Sequence, residues 1–173
     1  MIEISGLCKT FNAGTINETR ALQNVTLHVN RGDFITIIGT NGSGKSTLLN
    51  AVAGSFLPDT GTIRIDGREV TRLRDFQRAA DIARVFQNPF SGTAPGMTIA
   101  ENLSLAARRG KGRGLGPALP GSLLREIRDR VAALGMGLED RLSSEIGTLS
   151  GGQRQALTLL MATWVKPRLL LLD

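Results

Sequence analysis

The chain has 173 residues, of which 41% are hydrophobic and 21% charged, and these values are typical of one well-packed globular domain. Its single cysteine, Cys8, excludes a disulfide framework, and no apolar run approaches the roughly 18 residues of a membrane-spanning helix. The formal net charge of +6 is compatible with a nucleic acid, anionic lipid or phosphate-bearing ligand, and equally with no charged partner. The N-terminus lacks the pattern of a signal peptide, so we expect a cytosolic protein.

Apolar alternation and turn residues divide the first half of the chain into strands and helices. The pattern predicts two early strands, a wholly apolar central parallel strand, a glycine-rich loop that opens a helix, and three further elements. In chain order the segments are the strand Ile2–Phe11, the loop Asn12–Arg20, the strands Leu22–Val29 and Phe34–Ile38, the helix Ser46–Ala53 closed by Gly54, the strand Thr62–Ile65, the helix Leu73–Ala80 and the strand Ile82–Phe86.

The second half of the chain has mainly helical patterns, interrupted by glycine and proline. The segments predicted there are the helices Thr98–Arg109, Leu123–Leu134 and Gly152–Val165, the linker Gly110–Gly121 and the closing strand Arg168–Asp173. This order predicts a single domain over residues 1–173. Its α/β core comprises residues 1–87 and 166–173, and an α-helical subdomain is inserted at residues 88–165.

The segment Gly39–Ser46 matches the pattern G-x-x-x-x-G-K-[ST], known as Walker A, between an apolar strand and a helix. Glycines allow the backbone to wrap around phosphates, and the helix N-terminus adds its positive potential. Lys45 is expected to reach the β- and γ-phosphates of a nucleotide, and Ser46 to bind Mg²⁺. The expected nucleotide contacts are Gly39, Asn41, Gly42, Ser43, Gly44, Lys45, Ser46 and Thr47. The alternative is an ordinary glycine-rich turn.

A second candidate anion site is Leu149–Gln153, immediately before a strong helical pattern. Ser150 is suited to cap that helix, and the amides of Gly151 and Gly152 would lie at its N-terminus. Since Gly39–Ser46 already surrounds one side of a nucleotide, we expect this second segment to cover the nucleotide of another copy of the chain.

The chain closes with four leucines, Leu169–Leu172, followed by Asp173. This pattern predicts a buried strand that presents a carboxylate at its carboxyl end, where ligands gather in open parallel sheets. It is the Walker B arrangement, in which the aspartate holds Mg²⁺ through water.

These three motifs, in this order and at this separation, resemble the nucleotide-binding domain of ABC transporters over essentially the whole chain. Leu149–Gln153 is similar to the family's signature motif, and Gln87 resembles its Q-loop glutamine, which senses Mg²⁺ and the γ-phosphate. Phe11 lies where the family places an aromatic residue that stacks on adenine; alternatively it is a core residue of its strand. The resemblance implies an α/β fold: a P-loop NTPase (RecA-like) core with a mostly parallel sheet and an antiparallel β edge, plus an ABC-type helical subdomain.

The resemblance also implies a mechanism, with ATP and Mg²⁺ as cofactors. It makes Lys45, Gln87 and Asp173 catalytic and Ser46, Gln87 and Asp173 the metal site. The contacts to the ATP of a second copy would be Ser150, Gly151, Gly152 and Gln153. The implied partners are a second ATP-binding subunit, transmembrane permease subunits and, indirectly, a solute-binding protein, with no nucleic acid. The implied location is cytoplasmic, on the inner face of the cell membrane.

In the family, a glutamate that orients the attacking water follows the Walker B aspartate, and a D-loop and a switch histidine come later. The chain ends at Asp173, and its one histidine, His28, lies in an early strand, where we interpret it as a surface or edge residue. We therefore expect a domain that is incomplete at the C-terminus and that by itself hydrolyses ATP hardly at all.

Three segments, Thr10–Glu18, Arg108–Lys111 and Gln153–Thr163, resemble bacterial importer ATPases that serve aromatic amino acids or related small solutes. Other interpretations remain open: an exporter or lipoprotein-release ATPase, a soluble ABC-class ATPase acting on DNA or the ribosome, and a regulatory module that binds ATP without catalysis. The basic segment Arg108–Arg113 is either a solvated linker or a contact with anionic lipid.

Overall fold

The first two strands of the chain form a long antiparallel hairpin in a computed structural model, which describes residues 1–112, 114 and 116–173. These residues divide into two units, Met1–Arg78 and Ala79–Asp173. The first unit contains β1 (Ile2–Phe11), β2 (Thr19–Val29), α1 (Lys45–Ala53), β3 (Thr60–Ile65), β4 (Arg68–Glu69) and α2 (Asp75–Arg78). The second contains β5 (Ile82–Val85), a 3-10 helix (Pro89–Gly92), α3 (Ile99–Ala107), α4 (Gly121–Ala132), a 3-10 helix (Ile146–Thr148), α5 (Gly151–Thr163) and β6 (Leu169–Leu172).

The first unit is built on a four-stranded antiparallel sheet in the order β2-β1-β3-β4. Ile4 of β1 lies opposite Leu27 of β2 on one side and Ile63 of β3 on the other. The buried apolar side chains of this unit are Ile2, Ile4, Leu7, Leu22, Ala51, Val52, Ile63, Ile65 and Val70.

The interpretation of His28 as a surface or edge residue is confirmed. Its strand, β2, lies at the edge of this sheet, and the exposed His28 contacts the side chain of Asn30 at 3.1 Å.

The buried side chain of Arg78 fixes the C-terminal end of α1. It is 1% exposed and donates hydrogen bonds to the carbonyls of Ala51 (2.8 Å), Val52 (2.7 Å), Leu73 (2.8 Å) and Thr71 (3.1 Å). Burial lowers the pKa of the guanidinium from its ordinary value. The last carbonyls of a helix have no partner within the helix and carry partial negative charge, so a buried cation there is stabilised by the helix it caps.

The second unit combines one pair of parallel strands with three helices. Ile82 of β5 pairs with Leu169 of β6, and the register continues to Val85 and Leu172. The helices enclose an apolar core formed by Ile99, Ala100, Leu103, Ala106, Ala107, Ile127, Val131, Leu138, Leu142, Ile146, Leu149, Leu157 and Trp164. The three helices predicted in this half are confirmed, and each observed end lies within two residues of the predicted one. The parallel strand pair is the β component of the expected α/β fold.

The basic segment after α3 binds the end of α5. Arg109 donates to the carbonyls of Ala162 at 2.9 Å and Val165 at 2.5 Å, and burial lowers its pKa. Arg108 donates to the carbonyl of Pro117 at 2.6 Å. These two arginines therefore bond to the protein backbone, which neither interpretation of this segment anticipated; Arg113 lies outside the described residues.

Two sequence predictions in the α/β core are wrong. Residues 34–38 are not a strand, and the side chains of Phe34 and Ile38 are 86% and 89% exposed. A strand exists only where a neighbour exchanges backbone hydrogen bonds with it, and none of the described strands pairs with this segment. The leucines of β6 were expected to be buried, but Leu172 is 52% exposed and only Leu171, at 7%, is buried.

Smaller departures concern the ends of elements. β2 begins at Thr19, inside the predicted loop, because Phe11 of β1 pairs with Thr19 and extends the hairpin. α2 is a single turn, preceded by a turn closed by the Leu73 N–H on the Val70 carbonyl. None of the described helices has the length and apolarity needed to cross a lipid bilayer.

The role of Arg78 can be measured by chemical denaturation. Arg78→Met should lower the free energy of unfolding by about 2–4 kcal/mol, because buried carbonyls lose a charged donor while the side-chain volume is largely kept. Arg74→Met makes the same change at an exposed position and should cost less than about 0.5 kcal/mol. Equal losses in the two variants would contradict the role assigned to Arg78.

The capping box of α3 gives the fold a pH dependence. The Glu101 carboxylate accepts two hydrogen bonds of 2.8 Å, one from the Thr98 N–H and one from the Thr98 hydroxyl. Both bonds, the backbone one more strongly, hold the pKa of Glu101 below its ordinary value of 4.5. The stabilisation is therefore complete above about pH 4.5 and is lost as the pH falls through the lower folded-state pKa. Between about pH 6 and pH 3, Glu101→Gln should lose less stability than the wild type in urea titrations. Parallel losses in both proteins would refute the effect.

Candidate functional site

The loop Gly39–Ser46 closes around the side chain of Lys45. The Lys45 ammonium donates hydrogen bonds to the carbonyls of Gly39 at 2.8 Å and Thr40 at 2.7 Å. The Ser43 N–H donates to the Thr40 carbonyl at 3.2 Å and closes a turn inside the loop. The loop thus holds a half-buried cation beside the start of α1.

Two glycines of this loop have backbone conformations that other residues adopt only at a cost. Gly42 has φ 82° and Gly44 has φ 89°, both in the left-handed region. A Cβ atom at Gly44 would also lie 2.6 Å from the carbonyl oxygen of Ala21 on β2, whereas a Cβ at Gly42 would meet no atom within 4 Å. The two glycines therefore have different reasons to be there: conformation at Gly42, and conformation plus space at Gly44.

The N-terminus of α1 is open to an anion. Its N-cap is Gly44, which provides no side-chain cap, and the first turn contains no acidic residue. Ser46 is exposed and Thr47 is half-buried on this turn. The N–H groups at a helix start carry partial positive charge, and here they adjoin the Lys45 ammonium. Both charges favour a negatively charged ligand.

Phe11, the predicted adenine-stacking residue, lies in the first unit near a second aromatic ring. Its ring packs edge-to-face on Phe56, with centroids 5.3 Å apart, and the Lys9 ammonium lies 5.6 Å from both centroids. Lys9 also forms an ion pair of 2.8 Å with Asp59. Phe11 is half-buried, so its ring has a packing partner and still reaches the surface.

The predicted signature segment forms the start of α5 in the second unit. Ser150 and Gln153 make a capping box: the Ser150 hydroxyl accepts from the Gln153 N–H at 3.3 Å, and the Gln153 side chain accepts from the Ser150 N–H at 3.2 Å. The expected cap is therefore confirmed. Gly151 and Gly152 are exposed, and the first turn has no acidic residue. This helix start, like that of α1, is suited to an anion.

Gln87 and Asp173 follow the carboxyl ends of two neighbouring parallel strands. Gln87 comes two residues after β5 and is exposed, and Asp173 directly follows β6. The Asp173 N–H donates to the Val85 carbonyl at 3.0 Å and continues the strand pairing. The structure therefore brings these two predicted site residues to the same edge of the strand pair.

Arg84 is a site residue that the sequence interpretation missed. Its guanidinium forms an ion pair of 2.5 Å with the Asp173 carboxylate, and the two side chains are only 13% and 22% exposed. The guanidinium carbon also lies 4.5 Å from the ring centroid of Phe86. The available signal was a single charge inside the apolar strand β5, three residues before Gln87.

The predicted metal ligands have the right chemistry for Mg²⁺, which prefers carboxylate, hydroxyl and carbonyl oxygens. Asp173 and Gln87 supply such atoms in the second unit, and Ser46 supplies a hydroxyl in the first. Across the described residues, no three His, Cys, Asp or Glu side chains lie together as a metal-binding group. A site with only one carboxylate would not form such a group, and bound phosphates would have to complete its ligands.

One depression of the first unit lies elsewhere. It has a volume of about 570 Å³ and lies on the β1–β2 hairpin, where it is lined by Cys8, Thr10, Ala13, Glu18, Arg20, Leu22, Gln23, Asn24 and Asp59. None of the predicted nucleotide contacts is among these residues. It is an open surface feature of the hairpin, apart from the predicted phosphate contacts.

Comparisons with known proteins agree on one family. A family model described as ABC transporter matches residues 22–173. The tyrosine transport ATP-binding protein of Clostridioides difficile (strain R20291) is 37% identical over 173 residues, which cover 100% of this chain and 68% of the relative. The sulfate/thiosulfate import ATP-binding protein CysA 2 of Chromobacterium violaceum is 37% identical over 174 residues, or 99% of this chain and 42% of that protein.

A relative from a lipoprotein-releasing system and a solved structure are also similar. The lipoprotein-releasing system ATP-binding protein LolD 1 of Caulobacter vibrioides is 34% identical over 179 residues, covering 100% of this chain and 71% of the relative. A dimeric structure of a post-hydrolysis state of the ATP-binding cassette MJ0796, bound to ADP and Pi, superposes with a TM-score of 0.81. That cassette is 28% identical, and the match covers 100% of this chain and 73% of the cassette.

The difference between the two loop glycines can be measured directly. Gly42→Ala should lower the free energy of unfolding by about 1–2 kcal/mol, the cost of the left-handed conformation alone. Gly44→Ala should cost more, because its methyl group would also collide with the Ala21 carbonyl. Urea denaturation of both variants gives the comparison, and a larger loss for Gly42→Ala would contradict the loop geometry.

Proposed function

The chain belongs to the ABC transporter family, and we propose that it binds ATP and, in its full-length form, hydrolyses it to drive solute transport through partner membrane permeases. The members of this family that it resembles are ATP-hydrolysing subunits of transporters. The observation that carries the proposal is the loop Gly39–Ser46, which surrounds the Lys45 ammonium at the uncapped start of α1.

The chemistry of this loop fits the β- and γ-phosphates of ATP. On binding, a phosphate would exchange the Gly39 and Thr40 carbonyls for its own oxygens as acceptors from Lys45, and anionic oxygens are stronger acceptors than neutral carbonyls. N–H groups of the loop and of the first turn of α1 would donate to the same phosphates. Thr47 would contact a phosphate oxygen, and the ring of Phe11 would stack on adenine.

Mg²⁺ is the proposed metal, with Ser46, Gln87 and Asp173 as its ligands. When bound, it would neutralise phosphate charge during the in-line attack of water on the γ-phosphate. Before that, the Asp173 carboxylate is held by Arg84, so the protein's own residues keep its charge compensated and its orientation fixed. Gln87 would sense the metal and the γ-phosphate from the neighbouring strand end.

We propose that two copies enclose each ATP, with Ser150, Gly151, Gly152 and Gln153 of one copy facing the phosphates held by the other. The exposed, acid-free start of α5 has the electrostatic character this role requires. The similar cassette bound to ADP and Pi is itself dimeric, which supports the proposal. Loss of the γ-phosphate on hydrolysis would remove the charge that favours the closed pair.

For the direction of transport, we propose a bacterial importer, with aromatic amino acids or related small solutes as cargo. The tyrosine transport relative supports this choice. The permeases would anchor the subunit to the inner face of the cell membrane, with a solute-binding protein as an indirect partner.

The second candidate function is lipoprotein release or export, supported by the LolD 1 relative. Reconstitution of the full-length protein with a partner permease, followed by measurement of ATP-dependent uptake against release, decides between them.

Nucleotide titration tests the proposed site. Lys45→Ala should weaken Mg-ATP binding at least about tenfold, equivalent to about 1.4 kcal/mol, because the loop loses its only side-chain cation. Lys166→Ala removes the same charge from an exposed position and should bind as the wild type does. Isothermal calorimetry measures both affinities, and unchanged binding in Lys45→Ala would refute the site assignment.

A further inference from the structure

The residue that follows the proposed signature motif, Arg154, is buried and bonded to the segment that precedes the motif. Its side chain is 4% exposed, although it is charged. It donates to the carbonyls of Ile146 at 3.3 Å, Gly147 at 2.9 Å and Leu149 at 2.9 Å. A side chain of α5 thereby fixes the backbone that leads into Ser150, the N-cap of the same helix.

The same backbone segment is bonded on its other side to the residues before α3. The Ile146 N–H donates to the Met97 carbonyl and the Gly147 N–H donates to the Pro95 carbonyl, both at 3.0 Å. The segment is therefore held between residues 95–97 and Arg154. Of these two attachments, only the one to Arg154 depends on a side chain, so it can be altered without changing the backbone of the segment.

Arg154 also contacts the segment that follows Gln87. Its guanidinium carbon lies 3.6 Å from the ring centroid of Phe90, a distance at which cation and ring attract each other. Phe90 lies three residues after Gln87, and its N–H donates to the side chain of Asn88 at 3.0 Å. One guanidinium thus joins the approach to Ser150 to the backbone that carries Gln87, within a single structural unit.

We propose that Arg154 is a positioning residue: it sets the orientation of Leu149 and Ser150 towards the phosphates of a second copy, and Phe90 makes that orientation depend on the Gln87 segment. The inference rests on the proposed function. A planar guanidinium is suited to the task because its fork of donors reaches several carbonyls while its face stacks on a ring. A lysine ammonium has the charge but neither geometry.

The test compares Arg154→Lys, Phe90→Leu, the double variant and the control Arg128→Lys, which makes the same exchange at an exposed position of α4. Mg-ATP affinity, ATP-driven association by analytical ultracentrifugation, and kcat and KM for hydrolysis are measured for each variant in the full-length protein. Amide hydrogen exchange over residues 146–153 is followed without nucleotide. Urea denaturation establishes that each variant is folded.

Arg154→Lys should keep the affinity of the Lys45 loop for Mg-ATP within about twofold and lower kcat about tenfold or more, since a misplaced contact acts mainly on turnover. Phe90→Leu should lower kcat about threefold. The double variant should lose less than the product of the two effects, because the residues share one contact. Exchange over residues 146–153 should be faster in Arg154→Lys, whereas Arg128→Lys should match the wild type.

Other outcomes overturn the inference in distinguishable ways. Wild-type turnover, association and exchange in both single variants would show that the contact does not position the motif. Equal loss of Mg-ATP affinity and kcat would assign Arg154 a general structural role instead. If Arg154→Lys is unfolded, Phe90→Leu decides, because the half-exposed ring contributes less to the core. Failure of the wild type itself to bind Mg-ATP would refute the proposed function, and the inference with it.

Discussion

The backbone groups left unpaired at helix ends are the constraint on which both candidate phosphate sites depend. A helix satisfies its interior N–H and C=O groups but not the first N–H groups or the last carbonyls, which must find partners elsewhere. In α1 and α5 the N-terminal and C-terminal ends have different partners. Arginine side chains satisfy carbonyls at the C-terminal ends, whereas no acidic side chain occupies the first turn of either helix.

The carbonyl ends are closed by arginines that come from distant parts of the chain. Arg78 bonds the end of α1, while Arg109 and Arg130 donate to the carbonyls of Ala162, Val165 and Trp164 at and just beyond the end of α5. A cation at that end is favoured by the helix dipole, and burial strengthens the interaction. The two helices are thereby fixed at one end, and the other end remains available to an anionic ligand.

In the second unit, two arginines hold groups that belong to the proposed ATP site. Arg84 holds the carboxylate of Asp173, and Arg154 holds the backbone that leads to Ser150. Each guanidinium also faces an aromatic ring, Phe86 and Phe90 respectively. In both cases a planar cation holds a group to which we assign a role at ATP, and such fixed positioning is what phosphoryl transfer requires.

The sequence by itself determined the parts of this protein whose chemistry is local. The spacing of Gly39–Ser46, the Ser150 cap and most of the helices could be read directly, because glycine placement, capping and helical periodicity depend on neighbours in the chain. Only the tertiary structure decided the partners of Arg78, Arg84 and Arg154, since their hydrogen bonds join residues brought together by folding. The tertiary structure also decided that residues 34–38 do not form a strand. An apolar run shows that burial is favourable, but a strand forms only where another strand supplies its hydrogen bonds.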